Sequence, residues 1–128
     1  MNYLELKEKQ SHELNNFPMM WAFNEKQFNE GLERLRATKE NLCRIPGGGF
    51  IKKTDAKAFE DMFIRHRQEM DAAISDDEFL TEALTYELSN HEYCITWDAT
   101  DALNTLGIDR DNMDDRTKKC LATAKLQQ

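Results

Sequence analysis

Between residues 55 and 90 the apolar side chains recur with the period of an α-helix, twice in succession. Phe59, Met62, Phe63, Met70, Ala73 and Ile74 fall on one stripe, and after a restart at Ser75 and Asp76 so do Leu80, Ala83, Leu84 and Leu88. A stripe of this kind must be buried against another apolar face. The span therefore predicts two long helices packed together, the first capped by Thr54 or Asp55 and the second ending near Asn90.

The rest of the chain is shorter in period. Tyr3, Leu6, Gln10, Leu14 and Phe17 predict a helix over residues 3–16, stopped by Pro18. Met19-Met-Trp-Ala-Phe23 reads as a buried strand. With Phe28 it forms a dense apolar cluster expected in the core, the alternative being an exposed docking patch. Asn24 suits the N-cap of a helix carrying Phe28, Leu32 and Leu35 and ending near Arg36. Leu42–Ile45 and Phe50–Lys53 flank Pro46-Gly-Gly-Gly49, the pattern of two short strands around a glycine turn, to which residues 19–23 would add a third strand. Tyr93-Cys-Ile-Thr-Trp97 is rich in β-formers and reads as an edge strand. Thr100 then caps a short helix ended by Gly107, and a last helix covers Asp115 to Leu126. The expected class is α+β and mostly helical, with about five helices and a small antiparallel sheet or hairpin around the glycine turn. With 128 residues and no repeat or linker, a single domain over 1–128 is the simplest organisation, one able to bury roughly two thirds of its unfolded surface.

Charge narrows the function classes. The net charge is −7, yet residues 1–54 hold nine Lys/Arg against seven Asp/Glu and residues 116–128 hold four Lys/Arg and no acid. Residues 55–115 hold seventeen acids and four bases, so the deficit is concentrated there. Such a block repels phosphate, which disfavours direct nucleic-acid binding, and attracts a basic protein surface; a plain solvated face is the competing explanation. Three scattered cysteines suggest neither a disulfide framework nor a zinc knuckle. The first ten residues carry charges where a leader needs an apolar run, and no stretch has the length of a membrane span, so a cytoplasmic protein is expected.

Three constellations carry candidate chemistry. Gly47, Gly48 and Gly49, with Lys52, Lys53 and Thr54 beside them, form a turn whose N–H groups could cradle an anion, although the spacing is neither a P-loop nor a dinucleotide fingerprint and a plain hairpin turn competes with it. His66, Glu87 and His91 project into apolar stripes, and with Cys94 they are metal-ligand types; a buried Glu–His pair with a second satisfied histidine is the preferred explanation. Asp76, Asp77, Glu78 and Glu82, together with Trp97 and Asp98, are the candidate partner-binding residues, Trp97 being the aromatic best placed for an exposed contact.

At Gln27-Phe-Asn-Glu-Gly31, at Gly47-Gly-Gly-Phe-Ile-Lys-Lys-Thr-Asp55 and at Asn90-His-Glu-Tyr-Cys-Ile-Thr96, the chain resembles a family of small proteins of Firmicutes, their phages and mobile elements. No activity, fold or site attaches to that family. The resemblance implies company among compact proteins that counter host defence or modify host machinery. The ranking expected from the sequence places a non-enzymatic interaction protein first, acting through the acidic surface on a host protein with a basic surface. A nucleotide or signalling-molecule binder using the glycine turn comes second, and a metal-dependent enzyme third; no cofactor is expected.

Overall fold

The helix over Asp77–Asn90 carries the largest apolar face of the chain. Phe79, Leu80, Ala83, Leu84, Glu87 and Leu88 are buried on it, at the i, i+1, i+4, i+5 spacing of a wide helical stripe. The computed structural model describes residues 1–128. In chain order it has α1 (Tyr3–Asn15), α2 (Glu25–Leu35), β1 (Leu42–Arg44), β2 (Phe50–Lys52), α3 (Ala56–Ala73), α4 (Asp77–Asn90), α5 (Tyr93–Thr96), α6 (Thr100–Thr105) and α7 (Asp115–Leu126). The class is α+β and mostly helical, with five helices of eleven residues or more and one two-stranded antiparallel sheet. No helix is long and apolar enough to cross a membrane.

The chain packs as two compact units, Met1–Gln10 with Arg67–Gln128, and Ser11–His66. In the first, α4 packs on α5, α6 and α7. The core gathers Tyr3, Leu6, Leu80, Leu84, Leu88, Leu103, Leu106 and Leu121, with Met70 and Ala73 of α3 and Ile74 just after it packed against it. Asp76 caps α4 by accepting from Phe79 N at 3.2 Å, and Asp114 caps α7 by accepting from Thr117 N at 2.7 Å.

In the second unit Asn24 caps α2, its Oδ1 accepting from Gln27 N at 2.8 Å. Strands β1 and β2 pair with Cys43 opposite Ile51. Of the run 19–23, Met20 alone is fully buried; it exchanges two 2.9 Å backbone hydrogen bonds with Phe50 and clusters with Leu35 and Leu42. The expected third strand is therefore a single bridge. Its neighbours correct the expectation of a core run, since Trp21 is 51% exposed and Phe23 92%. Gly31 makes room for Met20, because a Cβ there would lie 2.6 Å from the Met20 Cε and 3.1 Å from its Cβ.

Two further expectations differ from the structure. Tyr93–Thr96 is a turn of helix rather than an edge strand, flanked by Glu92 and Trp97 in the left-handed region at φ 58° and 59°. No neighbouring strand offers it a ladder, and without one β-propensity has nothing to act on. Helix α3 is entered from a 3₁₀ turn over Lys53–Asp55, with no side-chain cap hydrogen bond from Lys52, the residue before that turn; on it Met62 and His66 are buried while Phe63 is 45% exposed.

The Gly31–Met20 contact makes a background-dependent prediction. Gly31→Ala should lower stability by about 1–2 kcal/mol, overpacking outweighing the helix-propensity gain. In a Met20→Ala background, which removes the Cε contact and keeps the 3.1 Å Cβ contact, the same change should cost clearly less. Urea unfolding of the four proteins checks this, and equal effects in both backgrounds would refute the contact.

Candidate functional site

The face of α4 opposite the core is polar and hollowed. Asp77, Glu78, Thr81, Glu82, Thr85, Tyr86 and Ser89 line an open groove of about 680 Å³. A second hollow of about 290 Å³ is lined by Met1, Asn2, Asp76, Glu78, Phe79 and Glu82. Glu78 and Glu82 border both, one turn apart, so they form the ridge between the two hollows. Neither takes part in an ion pair within the protein, whereas Asp77 is engaged by the Arg116 guanidinium, which also donates to the carbonyl of Ile74. The Thr81 and Thr85 methyl groups and the Tyr86 ring give the groove an apolar floor beside its carboxylates.

Of the partner-binding candidates, Asp76, Asp77, Glu78 and Glu82 are thus brought together at the start of α4. Asp76 is partly spent as the helix cap. Trp97, 81% exposed, and Asp98 follow α5 and line neither hollow. Asp98 accepts from Thr100 N at 2.9 Å, and that residue's side chain and backbone, with Arg110 beyond, hold its carboxyl below the usual range. It therefore serves the start of α6. Thr81, Thr85, Tyr86 and Ser89 were not among the sequence candidates. Their signal was present, since they recur at four-residue spacing with Asp77 and Glu82 on the helix face left over by the leucines.

Behind this surface lies Glu87, with no exposed area. Its Oε1 accepts from the Tyr3 hydroxyl at 2.7 Å and from Lys7 Nζ at 3.0 Å, and its Oε2 lies 3.5 Å from His91 Nε2. Burial and the Glu87 hydrogen bond push the Tyr3 hydroxyl well above its ordinary pKa, so it stays a donor across the accessible pH range. Lys7 Nζ also sits 5.0 Å over the Tyr86 ring. His91 Nε2 is 3.1 Å from Thr105 Oγ1. His66 belongs to the other unit, where its Nε2 lies 3.5 Å from Glu13 Oε2. The Arg65 guanidinium, bonded to Glu13, with help from His66, holds that carboxyl down to about 2. Each of these two histidines thus has a carboxylate of its own, and Cys94 is exposed on α5.

The glycine turn is closed by Ile45 N donating to Gly49 O at 2.9 Å and Gly48 N donating to Ile45 O at 3.2 Å. Gly47 and Gly48 have φ of 95° and 94°, which glycine adopts without strain. The Gly48 N–H is therefore committed to the turn, and a Cβ on Gly49 would meet the Trp21 ring at 3.1 Å. Lys53 and Thr54 lie in the 3₁₀ turn that leads to α3, and Lys52 ends β2. The glycines are explained by backbone geometry and by the indole packed on them.

Residues 2–126 match DUF7659, a family of unknown function. No curated protein and no solved structure matches the chain.

The Tyr3–Glu87 bond gives a direct stability prediction. Tyr3→Phe should destabilise by about 1.5–3 kcal/mol, the range for a hydrogen bond to a buried charge. Tyr86→Phe, which leaves that bond intact, should stay within about 0.5 kcal/mol of the parent. Equal losses in urea unfolding would contradict the assignment.

Proposed function

We propose that this chain, which belongs to the DUF7659 family of unknown function, is a non-catalytic interaction protein that receives a basic protein segment in the groove along α4. The observation that supports it is the pair Glu78 and Glu82. They are two carboxylates without internal ion-pair partners, one turn apart on the ridge between two hollows. Charges without internal partners beside an apolar floor suit Lys and Arg side chains, whose methylenes lie on Tyr86 and the threonine methyls while their heads reach the carboxylates.

The charge of the whole unit adds to this. Residues 1–10 and 67–128 hold eight Lys/Arg against sixteen Asp/Glu, a net −8, and residues 11–66 hold nine against eight, a net +1. The field around α4 is therefore negative beyond the groove itself, which speeds encounter with a basic partner and repels nucleic acid. Inhibition of a basic, nucleic-acid-binding host protein in the setting of phages and mobile elements is the narrower form of this proposal, and it rests on the sequence resemblance.

A lysine-rich helical peptide is a sufficient probe. It should bind the protein at low salt and lose about tenfold or more in affinity between about 50 and 300 mM salt. The pair Glu78→Lys and Glu82→Lys should abolish binding, whereas reversing Asp109 and Asp111, acids outside both hollows, should weaken it only slightly. If both pairs of reversals act equally, the attraction is diffuse and the groove is not a site. Fluorescence anisotropy makes the comparison.

A further inference from the structure

The unit formed by residues 11–66 holds a polar cavity of its own, of about 330 Å³, lined by Trp21, Gln27, Glu30, Gly31 and Arg34. Four of these lie on one face of α2, at the i, i+3, i+4, i+7 positions, and the wall opposite is the indole. We propose that this cavity is a binding site for a guanine base, stacked on Trp21 and read at its edge by Glu30 and Arg34.

The indole is held in place before any ligand arrives. A Cβ at Gly49 would lie 3.1 Å from the six-membered ring of Trp21, and one at Gly47 would lie 3.6 Å from it, so the bare glycine backbone supports the ring. The ring is nonetheless half exposed and lines the cavity. A clamped, half-exposed indole is a stacking platform that loses little entropy on binding. This also gives the Pro46-Gly-Gly-Gly49 segment a role: its glycines carry the platform rather than an anion.

The polar groups are arranged with capacity to spare. Gln27 Oε1 accepts from Phe23 N at 2.8 Å, which turns its amide nitrogen free as a donor. Arg34 Nη2 donates to Met19 O at 2.7 Å, fixing the guanidinium while most of its N–H groups stay uncommitted. Glu30 has no internal ion pair, although Arg34 is one turn away on the same helix. Its carboxylate needs two adjacent donors, and the Arg34 fork needs an acceptor. Among planar bases guanine supplies both: neighbouring N1–H and N2–H₂ donors for Glu30, and O6 and N7 acceptors for Arg34. Adenine and cytosine present a donor beside an acceptor on that edge and leave a carboxylate half satisfied. The net +1 of this unit tolerates a ligand phosphate, as the net −8 of the other would not.

Isothermal titration calorimetry of the full chain with GMP, AMP and CMP tests the site. GMP should bind with one site per chain and a Kd below about 1 mM, with AMP and CMP at least about tenfold weaker. Glu30→Gln alters an exposed side chain and should keep the fold, verified by circular dichroism, while weakening GMP by about tenfold or more. Trp21→Leu should abolish binding; if that variant unfolds, Glu30→Gln alone decides. The site is refuted by no saturable heat with GMP up to about 5 mM, by equal affinity for GMP and AMP, or by a Glu30→Gln variant that binds GMP as the parent does.

Discussion

Glu87 has no contact with solvent, and an ionised carboxylate in that position is tolerable only if its oxygens are met. Tyr3 and Lys7, both on α1, meet one of them, and His91 approaches the other. The first turns of α1 are therefore held to the last turn of α4 by a specific atom rather than by apolar surface alone. Tyr3 reinforces the placement with edge-to-face contacts to Phe79 and Tyr86. A buried network of this kind contributes more to register than to net stability, since an apolar replacement of similar shape would give up little. It decides which face of α4 looks inward, and with that which face remains for a partner.

The division of α4 into two faces explains how one helix serves both the core and the surface. Six of its residues are buried, and the complementary positions carry carboxylates, hydroxyls and one tyrosine along a single groove. Acidic residues at its start also suit the positive end of the helix dipole, so Glu78 is stable there without an ion-pair partner, while Asp77 has Arg116 as well. Charge separates in the same way at the level of the chain. The acidic excess belongs to the unit containing α4, and the nearly neutral unit around α2 and the hairpin carries a cavity of different chemistry, built on an aromatic ring, a carboxylate and a guanidinium.

Much of the fold could be read locally. Asn24 and Asp76 announce helix starts because a short side-chain acceptor satisfies N–H groups three residues on, and α7 spans Asp115–Leu126 as its pattern requires. The turn at Gly47 and Gly48 was legible because positive φ selects glycine. Features that depend on distant partners were not. Nothing near Tyr93–Trp97 reveals that no strand will come to pair with it, and nothing near Trp21 reveals that glycines from a hairpin will occupy one side of its ring. Inward-facing Glu87 could be inferred from periodicity, and so could His91 beside it, but its donors Tyr3 and Lys7 stand about eighty residues earlier and gave no local signal. Of the acidic residues singled out in the sequence, Asp77, Glu78 and Glu82 lie together along the groove, while Thr81, Thr85, Tyr86 and Ser89 beside them gave no distinct signal, because polar residues at helical spacing look like an ordinary solvated face.

The central claim is that the outer face of α4, and not the acidity of the chain in general, receives a basic segment. Amide chemical shifts of isotope-labelled protein, recorded at low salt while a lysine-rich helical peptide is added, locate the contact directly. The account predicts perturbations concentrated at Asp77, Glu78, Thr81, Glu82, Thr85, Tyr86 and Ser89. Shifts spread evenly over Asp98, Asp109, Asp111 and Asp115, with no excess along α4, would contradict it.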